Sequence, residues 1–223
     1  DWVKITDPGD CRANGDVLMS RARTKAQELI GSLTSFERTI VYFPYCSYAA
    51  GAAGWAYVPG TRVWLNGYMD KRVSIHEQGH NYGLLHAHAY HCSSGGKYVT
   101  LGGSCSYDEY GDDFDAMGGS ELVGHYNAAE KQRLGWMSGR VSTLSASGTY
   151  TLPPLERTGT GVRALKFTIG TRTYWLEHRT ATGQDKNFPA GGQGILVHLL
   201  QSGVGDGGSL LLDNQPTSSG SWE

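Results

Sequence analysis

What this chain lacks narrows its function first. No apolar run approaches the roughly 18 residues that a membrane-spanning helix needs, so no span is expected. Charge is nearly balanced, 19 Lys and Arg against 21 Asp and Glu, for a formal net charge of -2. There are no charge runs either, so nothing attracts nucleic acid or anionic lipid in general, and neither partner is expected. None of the four cysteines forms a C-x-x-C pair, which removes a zinc-ribbon reading. Internal repeats and linker-like stretches are absent. No signal peptide precedes Asp1-Trp2-Val3-Lys4, which reads as the start of a mature or trimmed product.

What is present fits a folded enzyme. A chain of 223 residues can bury a sizeable core, as one domain or two small ones. Its 32 glycines are roughly twice the usual share and point to many turns. The most informative segment is His76-Glu77-Gln78-Gly79-His80-Asn81-Tyr82-Gly83-Leu84-Leu85-His86, with the spacing H-E-x-x-H-x-x-G-x-x-H. On a helix, positions i and i+4 share a face, so His76 and His80 can hold one metal ion. Gly83 can adopt a positive φ, stopping the helix and turning the chain so that His86 returns as third ligand. Three neutral imidazoles leave one position of a tetrahedral zinc open for water, the arrangement of a catalytic site. Glu77 would accept the proton of that water as it attacks a carbonyl and deliver it to the leaving amine. A structural zinc site would have four protein ligands, usually rich in cysteine, and no need for Glu77.

With this segment, and with Asp115-Ala116-Met117-Gly118-Gly119 downstream, the chain resembles the metzincin metallopeptidases. Residues 110–118 and 127–136 are most similar to the gametolysin-type peptidases within that group. The resemblance covers about residues 40–140 with specific motifs and the remainder more loosely. It implies an α+β zincin fold, with a mixed twisted sheet and an active-site helix, followed by a β-rich C-terminal region. It implies a catalytic domain over 1–140, its upper subdomain about 1–86 and its Met-turn subdomain about 87–140, with 141–223 packed on it. Met117 would form a hydrophobic floor beneath the metal without binding it. A peptide substrate would lie as an extra strand along an edge formed by Gly54, Trp55, Ala56, Tyr57 and Val58. Gametolysin itself has glutamine at the first histidine position, where this chain has His76. The oxyanion-stabilising tyrosine two residues after the methionine in some metzincins is here Gly119. Tyr110, Tyr126 and His125 are the candidate substitutes, and the second oxyanion donor stays unassigned.

Cys11, Cys46, Cys92 and Cys105 are even in number, which in a chain resembling a secreted peptidase favours two disulfides and an extracellular location. Cys92 with Cys105 would close a short Gly/Ser-rich loop, and Cys11 with Cys46 would tie the N-terminal segment to an early strand. Three pairings are formally possible, free buried cysteines are the alternative, and sequence alone does not choose. No cysteine is left over as a thiolate latch on zinc, so a latency device, a separate propeptide or inhibitor, would lie outside this chain.

The elements can be read coarsely. Residues 14–31 carry a helical stripe of Val17, Leu18, Ala22, Ala26, Leu29 and Ile30, with Gly31 as the stop. Residues 39–43, 54–58 and 62–65 read as strands, with Pro59-Gly60 turning between the last two. Residues 70–82 form the zinc-motif helix. Residues 87–120 are Gly-, Ser-, Asp- and Tyr-rich and read as mostly loop. Asp108, Glu109, Asp112, Asp113 and Asp115 there could bind calcium, but without the spacing of an EF-hand a solvated acidic loop is favoured. His88 and His91 are rivals to His86. Asn127 opens a short helix ending near Gly135. Strands follow at 149–152, 162–169, 173–179, 194–199 and 209–212, with a hairpin at 170–172 and with His178 and His198 in structural positions. The ending from Ser218 to Glu223 carries no signal.

The expectation is a secreted zinc endopeptidase acting on protein or peptide substrates. Two alternatives stand beside it, a pseudopeptidase that binds without cleaving and a non-proteolytic zinc amide hydrolase. Intact Glu77 argues against the first.

Overall fold

The computed structural model describes residues 3–119, 122–189 and 193–214; Asp1, Trp2 and the ending from 218 to 223 lie outside them. The chain forms two compact units, residues 1–83 and 84–223.

The first unit holds α1 (Gly15–Ile30), β1 (Thr39–Phe43), β2 (Gly54–Ala56), β3 (Arg62–Asn66) and α2 (Lys71–Asn81). The sheet is mixed. β3 lies in the middle, parallel to β1 with Val41 opposite Trp64, and antiparallel to β2 with Trp55 opposite Trp64. Its residues Val63, Trp64 and Leu65 are all buried, as in a central strand covered on both faces. The two-residue period then sorts the core. Trp64 joins Val41, Phe43 and, from α1, Leu18 and Met19, whereas Val63 and Leu65 meet Val73 of α2. The Cys11–Cys46 disulfide borders the first cluster. Buried Asn66 is satisfied by accepting the Cys46 N–H at 2.6 Å and donating to the carbonyls of Cys46 and Ala52 at 3.1 and 2.9 Å.

The buried stripe of α1 is narrower than its sequence suggests. Leu18 and Met19 are buried, but Leu29 and Ile30 are 64% and 62% exposed. The last turn has no core to enter, because Ile30 borders an open cavity of about 1120 Å³ beside β1.

The second unit holds β4 (His88–Ser94), β5 (Lys97–Val99), β6 (Ser104–Asp108), α3 (Ala128–Arg133), β7 (Val141–Thr143), β8 (Ala164–Ile169), β9 (Arg172–Arg179), β10 (Gly194–Gln201) and β11 (Leu210–Leu212). These strands form one sheet in the order β5-β4-β11-β10-β9-β8-β7, with β6 also paired to β4. The expected loop over 87–120 is therefore in good part sheet. Composition misleads there because the ladder between β4 and β6 and the Cys92–Cys105 disulfide, whose cysteines sit opposite each other, hold polar residues extended. Conversely, residues 149–152 form no strand, and Tyr150 instead turns back to donate its O–H to the Ala146 carbonyl at 2.8 Å.

β11 is wholly buried: Leu210 and Leu212 join Tyr90, Cys92 and Leu199 on one face, and Leu211 joins Phe114, Phe188 and Leu196 on the other. α3 begins at Asn127, whose side chain accepts the Glu130 N–H at 3.1 Å. Beneath it, buried Arg179 of β9 donates to Glu177 at 2.7 Å, to Asp185 at 2.7 and 2.9 Å and to the Phe114 carbonyl at 2.9 Å. That network fastens the segment leading to Met117 onto the sheet.

Candidate active site

α2 starts where the Asp70 carboxylate accepts the Val73 N–H at 2.8 Å. It ends with Gly83, whose φ of +91° only glycine adopts readily and whose N–H donates to the His80 carbonyl at 2.8 Å. Buried Asn81 fixes that end of the helix by donating to the Tyr57 and Arg62 carbonyls, both at 3.0 Å. The helical turn brings the rings of His76 and His80 to 4.9 Å, nearly perpendicular at 87°. His86 follows within the same continuous segment, and ligand nitrogens of the three histidines lie within 4.8 Å of one another. The three could hold a metal ion, and an all-imidazole set suits zinc.

Glu77 lies in the same helix, only 6% exposed. Burial pushes its carboxyl pKa up to about 8, against the opposing charge of Arg12. Its Oε2 is buried with no hydrogen-bond partner among the described residues. A buried carboxyl oxygen with no partner is costly to a fold, so the site fits a group that would engage it. Beside it runs β2, which pairs only with β3 among the described strands. Ala53 accepts the Asn66 N–H at 2.8 Å and Tyr57 donates to Arg62 at 3.4 Å. Antiparallel alternation therefore turns the main-chain groups of Gly54 and Ala56 toward the open edge. Tyr57 and Val58 lie past the strand, and the Tyr57 O–H donates to Asp16 at 2.6 Å, so that side chain is anchored to α1.

In the second unit, His86 Nδ1 lies 2.8 Å from Glu109 Oε1, and its main-chain N–H donates to Asp206 at 3.1 Å. Burial lowers the His86 pKa, and the two carboxylates act against it. His88 is buried with its Nε2 2.9 Å from Asp206. Met117 is fully buried in a turn closed by its N–H to the Asp115 carboxylate at 2.6 Å and by Gly118 N–H to the Asp115 carbonyl at 3.0 Å. The Met117 carbonyl accepts the N–H of Ala87, the residue after His86, at 3.0 Å. Among the candidate oxyanion donors, Tyr110 packs against His86 with ring centroids 4.0 Å apart and the rings tilted by 42°. Tyr126 is buried against Trp136, and burial presses the His125 pKa down to about 4. Members of the acidic stretch are taken up singly, Asp112 by His198, Asp115 by the turn and Glu109 by His86.

Sequence reasoning missed Glu109 as a partner of His86, Asp206 altogether, and the close approach of Glu77 to Gly54, where an added Cβ would come within 2.9 Å of Glu77 Cγ. Glu109 stood in an acidic run that pointed to calcium. For Asp206, 120 residues from His86, no local signal exists.

No curated protein and no solved structure matches the chain. A family model, gametolysin peptidase M11, matches residues 16–186, well over half of it. The histidine segment, Glu77 and the turn at Met117 all fall inside that stretch, and the chain belongs to the gametolysin family of peptidases.

Proposed function

We propose that this peptidase is a secreted, zinc-dependent endopeptidase of the metzincin type, with His76, His80 and His86 as metal ligands and Glu77 as general base and then acid. The observation that carries the reading is the buried Glu77 carboxylate, one oxygen unpartnered, on the helix that presents His76 and His80. Zinc, when bound, supplies a Lewis acid and lowers the pKa of water. Glu77 takes the proton of the attacking water and passes it to the leaving amine. Met117 serves as an apolar floor. The main-chain groups of Gly54 and Ala56 hold the peptide as an added strand, with Trp55 beside them. Two disulfides, and no helix among the described residues that could cross a membrane, fit an extracellular protein.

Glu77→Gln and Glu77→Ala should keep zinc and fold while hydrolysis of denatured casein falls by roughly 10²–10⁴. A chelator should abolish wild-type activity and zinc restore it. Wild-type turnover in Glu77→Ala at equal zinc content would refute the mechanism. Zinc binding without cleavage of any peptide would favour a binding module, and cleavage of small amides alone an amide hydrolase.

A further inference from the structure

The surroundings of His86 carry a second result. β4 begins two residues after it and is flanked on both sides, by antiparallel β6 with Ala89 opposite Asp108 and by parallel β11 with Leu210 opposite His88. Each neighbour delivers a carboxylate to His86. Glu109, just beyond β6, reaches Nδ1 at 2.8 Å. Asp206, ahead of β11, accepts the His86 main-chain N–H at 3.1 Å and lies 3.6 Å from Nδ1. Asp206 is itself held by His88 Nε2 at 2.9 Å and by the Gly208 N–H at 2.8 Å. The ring of Tyr110 lies against the imidazole, centroids 4.0 Å apart and tilted by 42°.

We propose that Glu109, with Asp206 holding the main chain, is the positioning residue of His86: it accepts the Nδ1 proton and so presents Nε2 to the metal. A neutral imidazole has two tautomers, and only the one with its proton on Nδ1 leaves Nε2 as a donor lone pair. The carboxylate selects that tautomer and fixes the ring plane, the function that outer partners perform for metal-bound histidines in general. The sheet register provides it here, and Asp206 comes from beyond the family-matched residues 16–186.

The inference rests on His86 being a ligand, so His86→Ala is measured alongside. Zinc affinities of the full chain, of His86→Ala, Glu109→Ala and Glu109→Gln are obtained by competition with a chromophoric chelator, with disulfides intact and thermal unfolding checked. Glu109→Ala should bind zinc about 10–100-fold more weakly. Glu109→Gln, whose amide oxygen still accepts the Nδ1 proton, should return to within about fivefold of wild type. The Nδ1–H resonance of zinc-loaded wild type should appear downfield by NMR, persist in Glu109→Gln and vanish in Glu109→Ala. Unchanged affinity in Glu109→Ala while His86→Ala loses zinc overturns the positioning role alone. Equal weakening in Glu109→Gln and Glu109→Ala shows charge rather than orientation, and also overturns it. Wild-type affinity in His86→Ala overturns the ligand reading beneath it. If Glu109→Ala does not fold, the Glu109→Gln affinity and the wild-type resonance decide.

Discussion

Gly54 lies directly against Glu77. A Cβ on Gly54 would come within 2.9 Å of Glu77 Cγ, of Val73 Cγ1 and of the Trp64 carbonyl oxygen. The last of these is main chain of the central strand and cannot swing aside. Helix α2 can therefore approach β2 this closely only over glycine, and the height of the carboxylate above the open strand edge is set by a missing side chain.

Gly54→Ala should accordingly lift Glu77 and α2 off the edge. With Glu77 displaced from the strand edge, kcat/KM per bound zinc should fall by roughly tenfold or more. Overpacking should cost about 1–3 kcal/mol of stability. Steady-state kinetics with metal analysis and urea unfolding would check this, and unaltered kinetics would mean the helix tolerates the methyl group.

Proline at position 56 removes a main-chain donor that faces the open edge. Ala56→Pro should raise KM for peptides several-fold or more with zinc affinity unchanged. Intact kinetics in a folded Ala56→Pro protein would place the substrate elsewhere.

His88 and His91 are the sequence rivals of His86. His88 is buried and paired with Asp206, and His91 is half-buried within β4. Chelator competition should show His88→Ala losing less than about tenfold in zinc affinity, through a loosened Asp206, and His91→Ala losing nothing. A loss of several orders of magnitude in either variant would move the third ligand.

Burial alone would lower the pKa of His198, but the hydrogen bond and charge of Asp112, with Glu177 and Asp115 nearby, outweigh it and raise the value. A folded pKa above the unfolded one gives stabilisation that is complete below the ordinary histidine range and lost as pH rises through the raised value. Urea unfolding in chelator should show the wild type losing stability relative to His198→Gln as pH climbs from that range. Parallel pH curves for the two proteins would contradict the sign.

Much of the first unit was legible because its residues solve local problems. Thr39 to Phe43 is β-branched and aromatic, Asp70 can cap a helix, and Gly83 can end one. The exposed Leu29 and Ile30 were not, since an apolar residue shows its period but not whether anything lies opposite. The β4–β6 ladder was hidden by histidine, serine and glycine, and by the intervening β5, which turns off β4 at Gly95-Gly96. The eleven-residue motif carries its own chemistry. Its supports, Gly54 in β2, Glu109 just after β6 and Asp206 ahead of β11, come from elsewhere in the chain, and only pairing register brings them near.

The parallel placement of β11 beside β4 sets an order in time. The ribosome finishes the histidine motif 120 residues before it reaches Asp206. At about 5–20 residues per second, that gap is roughly 6–24 s. Throughout it, the nascent chain carries all three histidines and Glu77 but lacks the strand beside β4 and the carboxylate that holds the His86 main chain. The producing cell therefore makes the chemical groups of a peptidase well before it makes their support.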